Sequence, residues 1–436
     1  MKTISTREIN RLAIPAVLGG LSEPIISLAD TAIVGQLGAS SLAAVGLGAS
    51  VFAFLVWVFA SMNSAMASLV GNYLGKDRLK DIESLIPQSV LLAVLIGLTL
   101  FGVTSQFAEQ IFNLFNAKGT VLSESIQYYS IRSFAFPITL GTIIIFGVFK
   151  GYQNTLWTMY ITISGGLLNV LLDYLLVYGV EGWIPTFGIA GAAYASIAAQ
   201  CAMFVAALSL VIFKMRVSLR FTSPNPEVFR LLRMSGNLVI RTVILGTTLT
   251  IFPNRMATSY GESAIAAHTI AMNLWLFGAY FIDGYAHAGT AIMGKLLGQN
   301  NKFSMYPLGI WLTKTGIFMS IGLGAFYLAT YQYIGHWFTS DPEVILVFES
   351  IFWLLILSQP LNAIAFIFDG VFIGLGKITL LRNNLLLASI IFFLPCLYLF
   401  DWLGWQMIGV WSALTVWMAI RSLPLLWVFV RQYGKQ

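Results

Sequence analysis

The sequence predicts an all-α integral membrane protein with about twelve transmembrane helices in two parallel-repeat six-helix bundles. Composition, the length of the apolar runs and an internal repeat support this prediction. Of 436 residues, 58% are hydrophobic and only 10% are charged, whereas soluble domains carry about 25% charged residues. The apolar runs are continuous over ~20 residues, while a transmembrane β-barrel would alternate apolar and polar residues over ~10-residue strands.

The chain begins with a polar segment, MKTISTREINR, which is too charged for the apolar region of a signal peptide. The predicted spans lie near 11–36, 40–73, 88–113, 123–152, 156–179, 188–213, 229–258, 263–297, 304–333, 344–375, 379–400 and 405–430. Several exceed the ~20 residues that cross a bilayer, so we expect them to be tilted or to project beyond it. The predicted domains are an N-lobe of six helices (1–213), a cytoplasmic linker (214–228) and a C-lobe of six helices (229–436).

Lysine and arginine are distributed unevenly among the predicted loops. If the N-terminus is cytoplasmic, the inner segments hold most of these residues, and the outer loops hold Lys118 and little else of that sign. This asymmetry follows the positive-inside rule and predicts a multi-pass protein of the plasma (inner) membrane with both termini cytoplasmic. It also accounts for the net charge of +6 without a nucleic-acid partner.

The two halves of the sequence resemble each other at a constant offset. A shift of 223 residues places GASSLAAVGLGAS (from Gly38) on GESAIAAHTIAMN (from Gly261), and GVFKG (from Gly147) on GVFIG (from Gly370). Because each half has an even number of spans, both enter the membrane in the same direction. A parallel repeat of this kind typically encloses a substrate path that opens alternately to each side.

Polar side chains recur at one depth in the N-lobe. Asp30 falls in the outer half of the first span, and Asn169 and Asp173 lie four residues apart on one face of the fifth. Ser196 sits about two turns into the sixth span, which runs inward, and therefore reaches the same level. These oxygens can hold a shared proton or ligate a small hard cation such as sodium.

The first span also carries features that suit a switch. Pro15 and Pro24 interrupt its backbone hydrogen bonds, so the helix can bend when Asp30 changes its charge. Glu23 lies seven residues before Asp30 on the same face, and could either titrate or hydrogen-bond across helices. The structural alternative is a static ion pair, for which Arg132 is the nearest basic candidate in this lobe.

The C-lobe does not repeat this pattern. Its ionisable candidates are Asp283, Asp369, Arg241 and Arg255. Asp283 and Asp369 fall in the inner half of their helices with Arg241 at similar depth, so a static ion pair and a transport role are both open. Arg255 could meet an anionic substrate group or face water.

Catalytic and cofactor chemistry has little support in the sequence. The three histidines are scattered, and Cys201 and Cys396 lie apart in apolar runs. No P-loop, HExxH motif or nucleophile elbow is present. We therefore expect a protein that is not an enzyme and that needs no cofactor or resident metal, apart from a sodium ion that Asp30, Asn169 and Asp173 could bind.

The motifs together resemble the multidrug and toxin extrusion (MATE) family. They are EPIISLADTAIVGQLG in the first span, LAAVGLG in the second, NVLLDYLLVYG followed by GIAGAAYAS, AAHTIAMN in the repeat, and FDGVFIGLG in the tenth span. The resemblance covers essentially the whole chain and is strongest to the DinF-type branch. It implies a V-shaped cavity between two six-helix bundles and a cation site at Asp30, Asn169, Asp173 and Ser196. Asp369 resembles the tenth-helix acid of the family and Asp283 an acid of the DinF-type branch, whereas Arg255 departs from the seventh-helix acid of other branches.

The resemblance implies secondary active multidrug efflux. Such a protein exports small amphipathic, often cationic compounds in antiport with protons or sodium ions by alternating access, and its other partner is membrane lipid. We expect it to act as a monomer with protons as the coupling ion, sodium being the alternative. A flippase for lipid-linked or other amphiphilic substrates is the second reading, and about twelve spans count against it.

Overall fold

The computed structural model describes residues 5–115, 117–217 and 224–434. Within its helices, the side chains of residues 23–25, 28 and 39 lie outside the described part. In the described ranges the regular secondary structure is helical, apart from one isolated β-bridge between Val180 and Ile184. The all-α prediction is therefore confirmed.

Twelve long helices, numbered α1 to α12, account for most of the described chain. They are α1 Thr6–Gly35, α2 Ser40–Gly75, α3 Leu79–Gln106, α4 Gly119–Gly151, α5 Leu156–Tyr178, α6 Ile189–Lys214, α7 Glu227–Ser259, α8 Glu262–Gly298, α9 Lys302–Ala329, α10 Pro342–Gly374, α11 Ile378–Trp402 and α12 Gln406–Tyr433. Among the described residues, the eleven helices from α2 to α12 are long and apolar enough to cross a membrane. With 30 residues, α1 also exceeds the ~20 residues that a transmembrane helix needs.

The third helix departs from its predicted position. It begins at Leu79 and ends at Gln106, whereas the prediction was 88–113. The apolar residues beyond it form a separate short helix, Ala108–Leu114, because Phe107 leaves the helical conformation with a ψ of 19°. The predicted span included this second helix because Ile111, Phe112 and Leu114 carry the apolar content past Gln106.

The internal repeat appears as equivalent backbone geometry. Gly38 and Gly261, which are 223 residues apart, precede α2 and α8 with φ angles of 121° and 110°. Side chains other than glycine rarely adopt such angles. The Ser40 hydroxyl lies 3.1 Å from the Thr120 hydroxyl, and the equivalent Ser263 hydroxyl donates to Glu343 at 3.1 Å.

Helix crossings repeat at the same offset. A Cβ atom on Gly147 of α4 would lie 2.5 Å from the Asn63 carbonyl oxygen of α2, and one on Gly370 of α10 would meet the equivalent residue of α8, Ala286. One turn later Gly151 faces Val70, just as Gly374 faces Met293. Small residues thus let α2 and α4, and likewise α8 and α10, approach closely, as is typical of membrane helices.

Internal contacts divide the chain into two compact units. The first unit contains Leu18–Ser235, and the second contains Gly236 onward together with the described residues up to Val17. This division differs from the predicted lobe boundaries at 213 and 229. The start of α1 packs within the second unit, where Tyr285 donates to Asn10 at 3.3 Å. The start of α7 belongs to the first unit, where Tyr73 donates to Glu227 at 3.1 Å.

Candidate functional site

Asn169 and Asp173 form the centre of the polar site in the first unit. The Asn169 amide donates to Asp173 Oδ2 at 2.9 Å, across one turn of α5. Asp173 is buried, with only 1% of its surface exposed, although its carboxyl group would be strongly hydrated in water. The amide therefore replaces one of the hydrogen bonds that burial removes.

Asp30 of α1 reaches the same carboxyl group from a different helix. The side chains of Asp30 and Asp173 are in hydrogen-bonding contact. The Oδ1 atom of each is buried and has no hydrogen-bond partner among the described residues. Because an ionised carboxylate only accepts hydrogen bonds, this contact is favourable only with a proton or another cation between the two groups.

Arg132 supplies a positive charge next to the two acids. Its guanidinium group stacks on the Phe52 ring, with 3.8 Å between Cζ and the ring centroid, and it is hydrogen-bonded to the hydroxyl of Tyr128. It acts electrostatically on both Asp30 and Asp173. The Nη1 atom is buried and lacks a hydrogen-bond partner within the described part. Arg132 thus balances part of the charge without being neutralised by a direct ion pair.

An apolar cluster explains why these side chains share one level. It contains Val34 of α1, Tyr128 of α4, Val177 of α5, and Ala192 and Ala193 of α6. Asp30 precedes Val34 by four residues, and Asp173 precedes Val177 by four. Helices α1 and α5 run in the same direction, because Ile26 packs on Gly166 and, further along, the Tyr178 hydroxyl donates to the Ile33 carbonyl at 2.6 Å. The cluster therefore fixes both carboxyl groups one turn from the same apolar layer.

Ser196 is placed by the same layer. It follows Ala192 by one turn of α6, and α6 runs antiparallel to α5, since Gly191 packs on Leu176 while Met203 packs on Gly165. Ser196 is buried, with 8% of its surface exposed. None of the contacts that join the described side chains connects it to Asp30 or Asp173. Its assignment to the cation site stays a prediction that rests on depth.

The second unit contains a different charged cluster, the Arg–Asp–Arg triad formed by Arg241, Asp369 and Arg421. Arg241 of α7 and Arg421 of α12 both contact Asp369 of α10 through its Oδ2 atom. Arg421 is 1% exposed, and Arg241 and Asp369 are each 8% exposed. The two predicted candidates are thus brought together, and Asp369 is held by two guanidinium groups rather than left free for a cation.

Arg421 was missed by the sequence reasoning. It lies in the apolar stretch VWMAIRSLPLLW of the last span, where a single arginine is costly unless it is paired. The cost of an unpaired arginine within a span was the feature of the sequence that could have identified Arg421. Spacing along the sequence did not identify it, because its partner Asp369 lies on another helix.

The remaining candidates of the second unit are more accessible. Asp283 pairs with His287 one turn along α8, with 3.2 Å between Oδ2 and Nε2, and its side chain is 48% exposed. Arg255 is exposed near the end of α7. The structure does not bring either residue into the Arg–Asp–Arg triad.

The predicted bending positions of α1 are only partly described. Pro15 is buried, and the helix continues through it without a break. The side chains of Glu23 and Pro24 lie outside the described residues. The proposed bending of α1 therefore stays a prediction.

The first-unit site and the triad carry opposite formal charges. With all groups ionised, Asp30, Asp173 and Arg132 sum to one negative charge, while Arg241, Asp369 and Arg421 sum to one positive charge. The first site is suited to bind one proton or one small cation, with carboxylate and amide oxygens as ligands. The second is not suited to bind a cation, because both guanidinium groups would repel it.

Known proteins resemble this chain over most of its length. DNA damage-inducible protein F of Escherichia coli (strain K12) is 26% identical over 99% of this chain and 93% of its own. The probable multidrug resistance protein NorM of Thermotoga maritima is 27% identical over 85% of this chain and 80% of its own. The fold is similar to that of an outward-facing multidrug resistance MATE family transporter of the MOP superfamily, with a TM-score of 0.87 and 22% identity over 100% of both chains.

The model of one protein family matches both halves of the sequence. It is the MatE model, and it covers residues 15–175 and 239–418, which together exceed half of the chain. The two matched segments begin at residues 15 and 239, which is close to the 223-residue offset of the internal repeat. The chain therefore belongs to the MatE family of multidrug and toxin extrusion transporters.

Proposed function

We propose that this protein exports small amphipathic, often cationic compounds in exchange for protons, by alternating access in the plasma membrane with both termini in the cytoplasm. Members of its family are multi-pass membrane transporters and not enzymes. One relative is named as a probable multidrug resistance protein and one protein of similar fold as a multidrug resistance transporter, which supports this class of substrate. Sodium is the alternative coupling ion.

The contact between Asp30 and Asp173 carries the proposal. Two carboxyl groups in hydrogen-bonding contact, both partly withdrawn from water, need a bound cation to stay together. A proton satisfies this need with the fewest further ligands, because the Asn169 amide already donates to Asp173. Loss of the proton leaves two like charges at close range and only Arg132 to offset them.

Coupling requires that the proton and the substrate favour different conformations. A ligand shifts an equilibrium only by its differential affinity for the two states. Protonation brings Asp30 of α1 and Asp173 of α5 together, whereas deprotonation drives them apart. Because they lie on different helices, this change in charge can be converted into movement of α1 against α5.

Transport in proteoliposomes tests both the function and the ion. The purified protein should export a cationic dye under a pH gradient alone, and a sodium gradient alone should not support export. Asp30→Asn should abolish pH-driven export, with Glu181→Gln as the matched control, because Glu181 is an exposed carboxylate in a loop of the same unit. Export by Asp30→Asn under a pH gradient would contradict the proposed site, and export driven only by sodium would replace the coupling ion.

A further inference from the structure

The Arg–Asp–Arg triad has more positive charge than its surroundings balance. Two guanidinium groups meet a single carboxylate, and both contact the same oxygen atom, Oδ2 of Asp369. Among the described titratable groups, those that act electrostatically on Arg421 are Asp369 and Arg241 alone. Since arginine stays protonated in proteins, the cluster keeps one net positive charge in a buried position. An uncompensated buried charge is strongly destabilising, so an anion is favoured there.

The triad also has unused hydrogen-bond donors. The Nε atom of Arg421 is buried and has no partner among the described residues, and its Nη1 atom lies 3.8 Å from the sulfur of Met418, a weak acceptor. The planar guanidinium group matches a carboxylate with two parallel N–H donors. The side chains of Arg241 and Asp369 remain 10% and 11% exposed, so the cluster is not sealed from a small ligand.

Aromatic rings form the walls beside Arg421. Its Cζ atom lies 5.3 Å from the centre of the Trp417 ring and 5.1 Å from that of Phe366. Both rings pack against the guanidinium group, and Trp417 is itself fully buried, so an anion can reach Arg421 only at its N–H edge. The apolar surroundings of the cluster therefore favour a carboxylate on an apolar body over a small, strongly hydrated anion.

We propose that Arg241 and Arg421 form a binding site for the carboxylate group of an amphipathic organic acid. Asp369 neutralises one of the two positive charges and leaves the other for the carboxylate of the ligand. The site takes ligands of the charge opposite to those bound by the carboxyl pair at Asp30 and Asp173. It is independent of the proposed proton antiport, because it rests on different residues and can be measured as binding alone.

Calorimetric titration of the purified full-length protein with 1-naphthoate tests this site. We expect 1-naphthoate to bind, and its neutral and cationic counterparts, 1-naphthylmethanol and 1-naphthylmethylammonium, to bind at least tenfold more weakly. Arg241→Gln should weaken 1-naphthoate binding by about tenfold or more, because a charge-assisted hydrogen bond is lost. Arg241→Lys keeps the charge but loses the bidentate geometry of the guanidinium group. Its affinity for 1-naphthoate should lie between those of the unmodified protein and of Arg241→Gln. Asp369→Asn should strengthen binding, because it raises the net charge of the cluster, and a merely structural triad would not show this change.

Several outcomes would overturn the proposal. Equal binding of the alcohol and the carboxylate would show that charge is not recognised, and displacement of 1-naphthoate by an equal concentration of chloride would show a site for any small anion. Loss of binding in Arg255→Gln rather than in Arg241→Gln would move the site to the exposed arginine of α7. The test uses Arg241 rather than Arg421, because the loss of the fully buried Arg421 side chain can prevent folding. Glu181→Gln, the exposed control of the first unit, should leave 1-naphthoate binding unchanged. Binding and pH-driven export are measured separately, so failure of the antiport proposal and failure of this one are distinguishable.

Discussion

Arg132 determines how many cations the first-unit site needs for neutrality. With Arg132 present, one proton or one sodium ion neutralises the pair formed by Asp30 and Asp173, whereas two would be needed without it. Its position is set by stacking on Phe52 and by the hydroxyl of Tyr128, not by a direct ion pair with either acid. Arg132 can therefore stay in place while the carboxyl groups gain and lose their proton.

Replacement of Arg132 by glutamine should alter the pH dependence of export. The variant loses the positive charge that favours the ionised acids, so a proton is released less readily and the half-maximal rate should move to higher pH. Arg132→Lys keeps the charge and should stay close to the unmodified protein. Export rates measured in proteoliposomes across a series of internal pH values provide the check, and identical profiles for the two variants would contradict a charge effect.

Replacement of Asn169 by alanine should weaken the site without removing a charge. The variant loses the hydrogen bond to Asp173 Oδ2, and the pH-driven export rate should fall by roughly tenfold, since a hydrogen bond to a charged group contributes about 1.5–3 kcal/mol. Ser164→Ala is the matched control on α5, because the Ser164 hydroxyl donates to the Tyr160 and Ile161 carbonyls of its own helix. Equal rates for the two variants would show that the amide has no part in the site.

The chemistry of individual residues was only partly predictable from the sequence. Helical spacing and depth placed Asn169 and Asp173 on one face and brought Asp30 to their level, since both properties follow from the rise per residue. The involvement of Tyr128 and the stacking of Arg132 on Phe52 depend on which helices are neighbours, which spacing alone does not show. Arg421 was missed for the same reason, because its partner lies 52 residues away on another helix.

At the scale of helices, close crossings depend on glycines rather than on large apolar side chains. A Cβ atom on Gly147 would approach the backbone carbonyl of Asn63, and a rigid backbone atom cannot move aside as a flexible side chain can. The hydrophobic effect does not drive helix association within lipid, so association depends on close van der Waals contact. The crossings of α2 with α4 and of α8 with α10 therefore tolerate little added volume.

Gly147→Ala should lower the unfolding temperature of the purified protein. The added methyl group forces α2 and α4 apart, and such overpacking costs about 1–3 kcal/mol. Gly102→Ala on α3 is the matched control, because its new Cβ atom meets nothing within 4 Å. That control should be neutral or slightly stabilising, since alanine favours a helix more than glycine does. A thermal unfolding scan in detergent compares them, and an unfolding temperature unchanged in Gly147→Ala would contradict the packing argument.

The elements themselves were largely predictable, because long apolar runs and the repeat offset leave few alternatives to twelve helices. The ends of these helices were less predictable. The end of α3 at Gln106 follows from local backbone geometry at Phe107, and no glycine or proline marks it in the sequence. The repeat was visible from glycine pairs such as Gly147 and Gly370, whose shared role is now explained by equivalent close contacts.

For the whole molecule, the predicted orientation depends on the distribution of basic residues between loops. Glu181, between α5 and α6, belongs to a predicted outer loop, and Lys80, at the start of α3, belongs to a predicted inner loop. Both side chains are exposed, so chemical labelling can distinguish the two sides of the membrane. The positive-inside rule makes opposite predictions for them.

A membrane-impermeant maleimide should label Glu181→Cys in intact cells and should label Lys80→Cys only after permeabilisation. Both substitutions are made in a background in which Cys201 and Cys396 are replaced, since these are the cysteines of the chain. Labelling of Lys80→Cys in intact cells, with protection of Glu181→Cys, would reverse the orientation and place the termini outside.

The division of the chain at Val17 was not predictable from hydropathy, because α1 is continuous in sequence and in structure. It has a consequence for biosynthesis. Asn10 leaves the ribosome before its hydrogen-bond partner Tyr285, which follows 275 residues later. At roughly 5–20 residues per second this is a delay of about 14 to 55 seconds. Throughout this interval the segment around Asn10 lacks this packing partner, so it reaches its native contacts late although it is translated before most of the chain. A translation product that ends before Tyr285 would therefore keep that segment without its packing partner.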